Sequence, residues 1–158
     1  MAFVYDDDDK VVSFAEYADV YTADQRLFDT NEGLSDSTVT PYLIRATERI
    51  LTKIKASSWW KSATPIGYSP DPNLIISREN DFTDLCIAVA MSEYILPIIA
   101  DFGDTDNAEM NKISFYEQRT VSKLDELVGL CDWYDFNADG IISISELKKS
   151  GKINRRIR

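Results

Sequence analysis

Histidine is absent from this chain of 158 residues. That absence removes Ser–His–Asp and Cys–His nucleophile systems, histidine-ligated zinc and histidine pH switches together. Cysteine occurs only as Cys86 and Cys131, too few for a disulfide scaffold. Both fall in apolar helical patterns and read as buried free thiols, as expected of a reducing compartment. Positive charge is in short supply: 17 Lys and Arg face 27 Asp and Glu, a net charge of -10. A body this acidic repels phosphate backbones, so a duplex-gripping role would need a locally basic patch. No glycine-rich phosphate loop, βαβ pattern or internal repeat is present. The first residues lack a basic region followed by an apolar stretch, so no secretory signal is read. The most apolar run, Leu85 to Ala100, carries Glu93 and Pro97 and falls short of the roughly 20 residues that span a bilayer. It reads as a buried helix, and no membrane association is expected. Without histidine, the carboxylates on solvated faces offer no acid–base pair. No catalytic residue is assigned and no enzyme is expected.

What is present suits one domain. At 44% hydrophobic and 11% aromatic residues, a chain of this length hides roughly 70% of its unfolded surface, enough for an ordinary core. The periodicities are helical. Ser13-Phe14-Ala15-Glu16 reads as a capping box opening a short helix to about Tyr21, and residues 29–37 read as a turn-rich loop. A second helix starts near residues 37–40, with Pro41 in its first turn. It buries a stripe of Leu43, Ala46, Ile50 and Ile54 and turns Arg45, Glu48, Arg49 and Lys53 outward. Trp59 and Trp60 read as packing anchors at its end. Residues 61–80 hold Pro65, Gly67, Pro70 and Pro72 and predict a long loop with a short strand at 74–76, placed to make contacts between subunits. Asp81 is expected to cap a central buried helix that Pro97 kinks or ends. A long helix is expected over about 106–133, with a stripe of Met110, Ile113, Glu117, Val121, Leu124, Val128 and Cys131 that Leu127 and Tyr134 widen. The fold class is all-α: a small bundle of about four helices with a long proline-containing loop and an extended C-terminal arm.

Charge is sorted by position. Asp6-Asp7-Asp8-Asp9-Lys10 also spells a protease site used in expression tags. No His-tag accompanies it and Val11-Val12-Ser13 follows without a linker, so it is taken as native, solvated and without assigned function. The far end is the reverse. Lys148, Lys149, Lys152, Arg155, Arg156 and Arg158 occur with no acid, leaving 11 basic against 27 acidic residues elsewhere. This tail cannot bury enough to fold alone. It is either a solvated tail or an arm that docks on an acidic protein surface or on phosphates. Ile153 and Ile157, four residues apart, favour a protein partner.

The strongest local motif is Asp135-Phe136-Asn137-Ala138-Asp139-Gly140-Ile141-Ile142-Ser143-Ile144-Ser145-Glu146. It matches the EF-hand calcium loop at each diagnostic position. A hard cation wants six to eight oxygens at about 2.3–2.6 Å, and alternate residues of a tight loop point theirs inward. Asp135, Asn137, Asp139 and Ser143 would offer side-chain oxygens, Ile141 a backbone carbonyl and Glu146 two oxygens, while Gly140 permits the turn. EF-hands usually work in pairs, and no second loop is found. The competing reading is an Asp/Asn turn in which Ser143-x-x-Glu146 is the capping box of a last helix. A lone Ca2+ here suits a structural clip better than a graded sensor.

The order of features resembles the head–tail connector (adaptor, head-completion) proteins of tailed phages. It runs from Ser13-Phe14-Ala15-Glu16-Tyr17 and a loop, through Leu43-Ile44-Arg45-Ala46-Thr47-Glu48-Arg49-Ile50 into Trp59-Trp60. Asp84-Leu85-Cys86-Ile87-Ala88-Val89-Ala90 and a further long helix come next. The likeness covers about residues 11–134, and the EF-like loop is no part of it. The division expected is a connector-like helical domain over 1–134, the EF-hand-like loop over 135–146 and a basic arm over 147–158. The resemblance implies a structural virion protein of the viral neck, between capsid and tail, made in the host cytoplasm. Its subunits would form a homo-oligomeric ring, commonly of twelve, beneath the portal protein and above a tail-side stopper or tail-terminator protein. DNA would pass nearby without sequence-specific binding, along negative walls that do not hold phosphates. The arm would reach the portal. The alternative is a small calcium-binding module built on the loop.

Overall fold

The computed structural model describes residues 3–100, 103 and 108–147. The basic arm from Lys148 to Arg158, with the docking role expected of it, lies outside the described residues. The fold is all-α, with one two-stranded sheet. β1 (Val4–Tyr5) pairs antiparallel with β2 (Val11–Ser13), and Asp6–Lys10 forms the hairpin turn. Asp6 builds that turn itself, its Oδ1 accepting from the N–H groups of Asp8 and Lys10 at 2.9 Å each. The sequence pattern predicts no strand here, because a two- and a three-residue strand are too short for periodicity to register.

α1 (Tyr17–Ala23) begins one turn later than the expected capping box implies. Glu16 is the N-cap, and it exchanges the reciprocal bonds with Asp19 at N3. Ser13 is instead buried in β2, its hydroxyl donating to the Ala15 carbonyl at 2.6 Å. The hairpin claims Ser13, so the next residue able to accept from the helix N–H groups takes the cap. α2 (Gln25–Thr30) is capped by Asp24, which accepts from Leu27 N–H at 3.2 Å.

α3 (Asp36–Ala56) buries Val39, Leu43, Ala46, Thr47, Ile50 and Ile54, the expected stripe with two additions. Its start at Asp36 puts Pro41 in the second turn rather than the first. Pro41 is on the exposed side, where water can serve the carbonyl that its missing N–H leaves free. Ser57 caps α4 (Ser58–Ala63) by accepting from Trp60 N–H at 3.2 Å, and Trp59 and Trp60 are both buried.

The loop to the next helix contains a 3-10 turn at Pro72–Leu74. Only Ile75 makes a strand-like bridge there, to Tyr134. Arg78, in the left-handed region at φ 59°, caps α5 (Glu79–Ala90) in place of the expected Asp81. Asp81 sits in the first turn and pairs with Arg78 at 3.6 Å and Lys123 at 3.3 Å. α5 runs into a π-turn at Met91–Ile95 and then α6 (Leu96–Ile99), with Pro97 at its start. The wide turn lets the helix pass the residue that cannot donate. The segment Glu79–Ile99 is thus 21 continuous helical residues, longer than the apolar run alone implies, and is long and apolar enough to cross a membrane. Its apolar window is 67% buried within the protein, as the central helix of a core is; α3 and α7 flank it.

α7 (Ala108–Leu130) stops three residues short of the expected Trp133. Cys131, at φ 54°, turns the chain away. The buried stripe is Ile113, Tyr116, Thr120 and Leu127, whereas Val121 is 61% exposed. Of the expected stripe, Ile113, Leu127 and Cys131 are buried and Met110, Leu124 and Val128 pack partly buried against the core. Glu117 and Val121 alone are exposed, off the buried face by about one residue, a rotation near 100°. Lys112 anchors the helix to Asp24 at the start of α2. The aromatic core begins at Phe3, Phe14 and Phe82 and continues through Trp133.

Candidate metal centre

The loop begins where α7 ends, and the chain is fixed there from three directions. Trp133, fully buried, donates its indole N–H to the Leu127 carbonyl at 2.7 Å. Its own carbonyl accepts from Ile76 N–H at 3.1 Å, and Asp135 N–H donates to the Leu74 carbonyl at 2.9 Å. The Tyr134 hydroxyl accepts from Asp71 N–H at 3.0 Å. Beneath the loop, Trp59, Trp60, Trp133, Tyr134 and Phe136 form one aromatic cluster. Phe136 is the loop side chain that joins this cluster, whereas Ala138, Ile141 and Ile144 are exposed.

Asp135 is 2% exposed and Glu146 4%. Asp135 accepts from Gly140 N–H at 2.7 Å through Oδ2 and from Asp139 N–H at 3.3 Å through Oδ1. Asn137 Oδ1 also accepts from Asp139 N–H, at 3.2 Å, and Asp139 Oδ1 accepts from Ile141 N–H at 2.9 Å. Gly140 sits at φ 83° and Ala138 at φ 58°; the first is the position where the loop motif places glycine, and only glycine takes that backbone without strain. Glu146, on α8 (Ile144–Leu147), closes the ring. Its Oε1 accepts from Asn137 N–H at 3.2 Å, and its Oε2 accepts from Ser143 N–H at 2.6 Å and Ser143 Oγ at 3.0 Å.

One carboxylate oxygen from each of Asp135, Asp139 and Glu146 lies within 4.8 Å of the others. Of the expected ligands, these three are brought together. Ser143 joins the group through its hydroxyl contact with Glu146, and Asn137 stays tied to the Asp139 backbone. The Ile141 side chain is 68% exposed, leaving its carbonyl as the group it could offer. The donor set is all oxygen, which fits Ca2+ and does not suit a thiolate-seeking metal. Backbone N–H donors, Ser143 foremost, hold the Glu146 carboxyl below its ordinary range. Three carboxylates this close repel one another, and those N–H groups offset part of the repulsion that a bound cation would remove.

The capping-box reading is half realised. Glu146 accepts from Ser143 N–H, as that motif requires, but the Ser143 hydroxyl is turned to the Glu146 carboxylate and to Ser145 Oγ at 2.8 Å. Glu146 N–H reaches the Ser143 carbonyl instead, at 3.1 Å.

Sequence reasoning missed the clamp that positions this loop. Arg78 grips Asp132 with two bonds, Nε to Oδ1 at 2.6 Å and a terminal nitrogen to Oδ2 at 2.8 Å. The partners are 54 residues apart in sequence, and no local pattern announces them.

No protein-family model matches this chain, nor does any curated protein or solved structure.

Proposed function

We propose that the chain is a non-enzymatic structural subunit of a head–tail connector ring, whose EF-hand-like loop acts as a Ca2+-held joint for the basic arm. The observation that carries the joint is the meeting of Asp135, Asp139 and Glu146 immediately before the arm begins. The loop is fastened to the helical body by Trp133, Tyr134 and Asp135 on one side, so a cation closing the other side would fix the angle at which residues 147–158 leave. Asp135, Asp139 and Glu146 would hold the ion with Asn137, Ser143 and the Ile141 carbonyl. The bound ion would supply charge neutralisation and a rigid turn.

The ring itself rests on the order of helical segments, the acidic body and the basic arm. Its partners would be copies of itself, the portal protein and a tail-side stopper or terminator, with the virion neck as its place. Particle mass of the purified chain, alone and with a portal protein, tests it. A chain that stays monomeric with portal present refutes the ring.

The carboxylate cluster equally supports a small calcium-binding module that works without a ring. Calorimetry separates the two parts of the proposal. Heat on adding Ca2+ to the native chain, absent in Glu146→Gln, supports the joint; no heat at millimolar Ca2+ refutes both the joint and the module, and leaves the ring to its own test.

A further inference from the structure

Charge is segregated a second time, inside the folded body. Residues 3–36 hold ten acids and two bases, whereas residues 37–70 hold five bases and one acid. The acidic extreme is the hairpin turn at Asp6–Lys10, exposed throughout. Its one ion pair among the described residues is Lys10 with Asp8 at 3.8 Å. Asp7 therefore faces solvent without a cation from among them.

The basic extreme is a groove of about 290 Å³ at the end of α3, lined by Lys55, Trp60, Lys61, Pro65, Ile66 and Tyr68. Its shape is built rather than loose. Pro65 to Tyr68 form a turn closed by Tyr68 N–H to the Pro65 carbonyl at 3.3 Å, with Gly67 at φ 91° in the position where a type II turn demands glycine. Trp60 pins that turn by donating its indole N–H to the Tyr68 carbonyl at 3.0 Å, and Lys55 Nζ donates to Ser69 Oγ at 2.9 Å. The turn lifts Ile66 fully into solvent, at 105% exposure, with Tyr68 at 63%. Neither Lys55 nor Lys61 has a carboxylate partner among the described residues. The Ile66 side chain, held outward beside these two lysines, contributes nothing to the core of its own subunit.

We infer that this groove receives the acidic hairpin turn of a second copy of this chain. The two patches are complementary in charge, and each has apolar surface beside the charge: Ile66 and Tyr68 in the groove, and Tyr5, 49% exposed, at the hairpin. Unlike patches meeting between identical chains make a heterologous contact, which closes into a ring when the rotation permits. The inference deepens the connector reading and rests on it for the ring, though not for the contact. Apolar anchors bordered by charge are the arrangement in which truncating a single side chain is felt most, and the charges govern both partner choice and salt sensitivity.

The test is charge reversal in the full chain, read by sedimentation velocity at about 50 mM and about 500 mM salt, conditions that straddle strong and weak screening. The groove variant is Lys55→Glu with Lys61→Glu. The hairpin variant is Asp7→Lys with Asp8→Lys; Asp9 is left alone because its φ of 57° disfavours most other side chains. All four positions are exposed, and circular dichroism checks that folding is unchanged. The expected result is self-association of the native chain that weakens with salt. Each variant weakens it about tenfold or more, and the quadruple variant, which restores complementarity in reverse, recovers it. Ile66→Ser weakens it without lowering thermal stability.

Association untouched by both variants overturns this contact and leaves the ring reading standing. A response to the hairpin variant but not the groove variant also overturns it, by placing another cationic segment on the hairpin. Rescue observed in a particle that stops at two subunits upholds the contact and overturns the ring. A native chain that remains monomeric at low salt and high concentration overturns the contact.

Discussion

Arg78 holds both carboxylate oxygens of Asp132, at 2.6 and 2.8 Å, and so ties the N-terminus of α5 to the segment that leads into the oxygen-lined loop. The fork is planar on both sides, which lysine cannot reproduce. The same guanidinium reaches Asp81 at 3.6 Å, and Asp81 reaches Lys123 on α7. The start of one helix and the end of another are thus joined through alternating charges.

The hydrogen bond from Arg78 holds the Asp132 carboxyl below its ordinary range. A carboxyl depressed in the folded state adds stability above its unfolded pKa, and that stability is lost as pH falls through the folded value. The native chain should therefore lose stability on acidification below about pH 4, and Asp132→Asn should flatten that part of the curve. Both groups are partly exposed, so the effect is small and shrinks with salt. Urea unfolding at stepped pH measures it; identical slopes in native and variant chains would refute the role.

Trp133 and Trp59 lie 5.1 Å apart by ring centroid, yet they should answer substitution differently. Trp133 spends its N–H on the Leu127 carbonyl; the buried Nε1 of Trp59 has no hydrogen-bond partner among the described residues. Trp133→Phe loses a buried hydrogen bond as well as volume, whereas Trp59→Phe removes a donor whose unsatisfied burial costs about 1–3 kcal/mol. The Trp59 variant should be the more stable of the two by about 1 kcal/mol or more. Trp133→Ala should cost about 3–5 kcal/mol. Equal midpoints in denaturant for the two Phe variants would contradict this reading.

Glu146 closes the candidate cation site while accepting three hydrogen bonds. Backbone N–H donors hold its carboxyl below the ordinary range, so it stays charged through weak acid, and Ca2+ affinity should be constant near neutral pH and fall only once acid protonates Glu146. Calorimetric titration from about pH 7 to about pH 4 checks this. In the apo chain Glu146→Gln should lower stability above about pH 5 and converge with the native chain in acid.

Cys86 is fully buried, and burial pushes its thiol up to about 12. It should resist thiol reagents at about pH 8 on the timescale of native-state dynamics and react only through unfolding. A labelling rate that follows the unfolding rate in urea supports this; rapid labelling of Cys86 in the native chain, located by mass spectrometry, would sink it.

A chelator should increase amide exchange after Tyr134 if a cation holds the joint. Unchanged exchange removes the joint and leaves the ring untouched.

Local rules carry a sequence reading as far as local rules operate. The α3 stripe is legible because its apolar spacing has one solution on a helix, and the loop from Asp135 to Glu146 is legible because its chemistry is encoded in consecutive positions. The cap near Ser13 is not, since a hairpin partner nine residues away, Val4, draws that residue into a strand. The α7 stripe misleads only in its middle, where Thr120 is buried and Glu117 and Val121 are exposed, a reversal that only the neighbouring helices impose. Arg78 with Asp132, and the groove between Lys55 and Ile66, belong to the same class: they exist only once distant or irregular segments are brought side by side. Helical class, charge sorting and the order of loop oxygens are properties of the chain in one dimension. Which side chains meet, and which surfaces stay open, is decided by packing, where the burial of large apolar and aromatic groups outweighs the preference of any single residue.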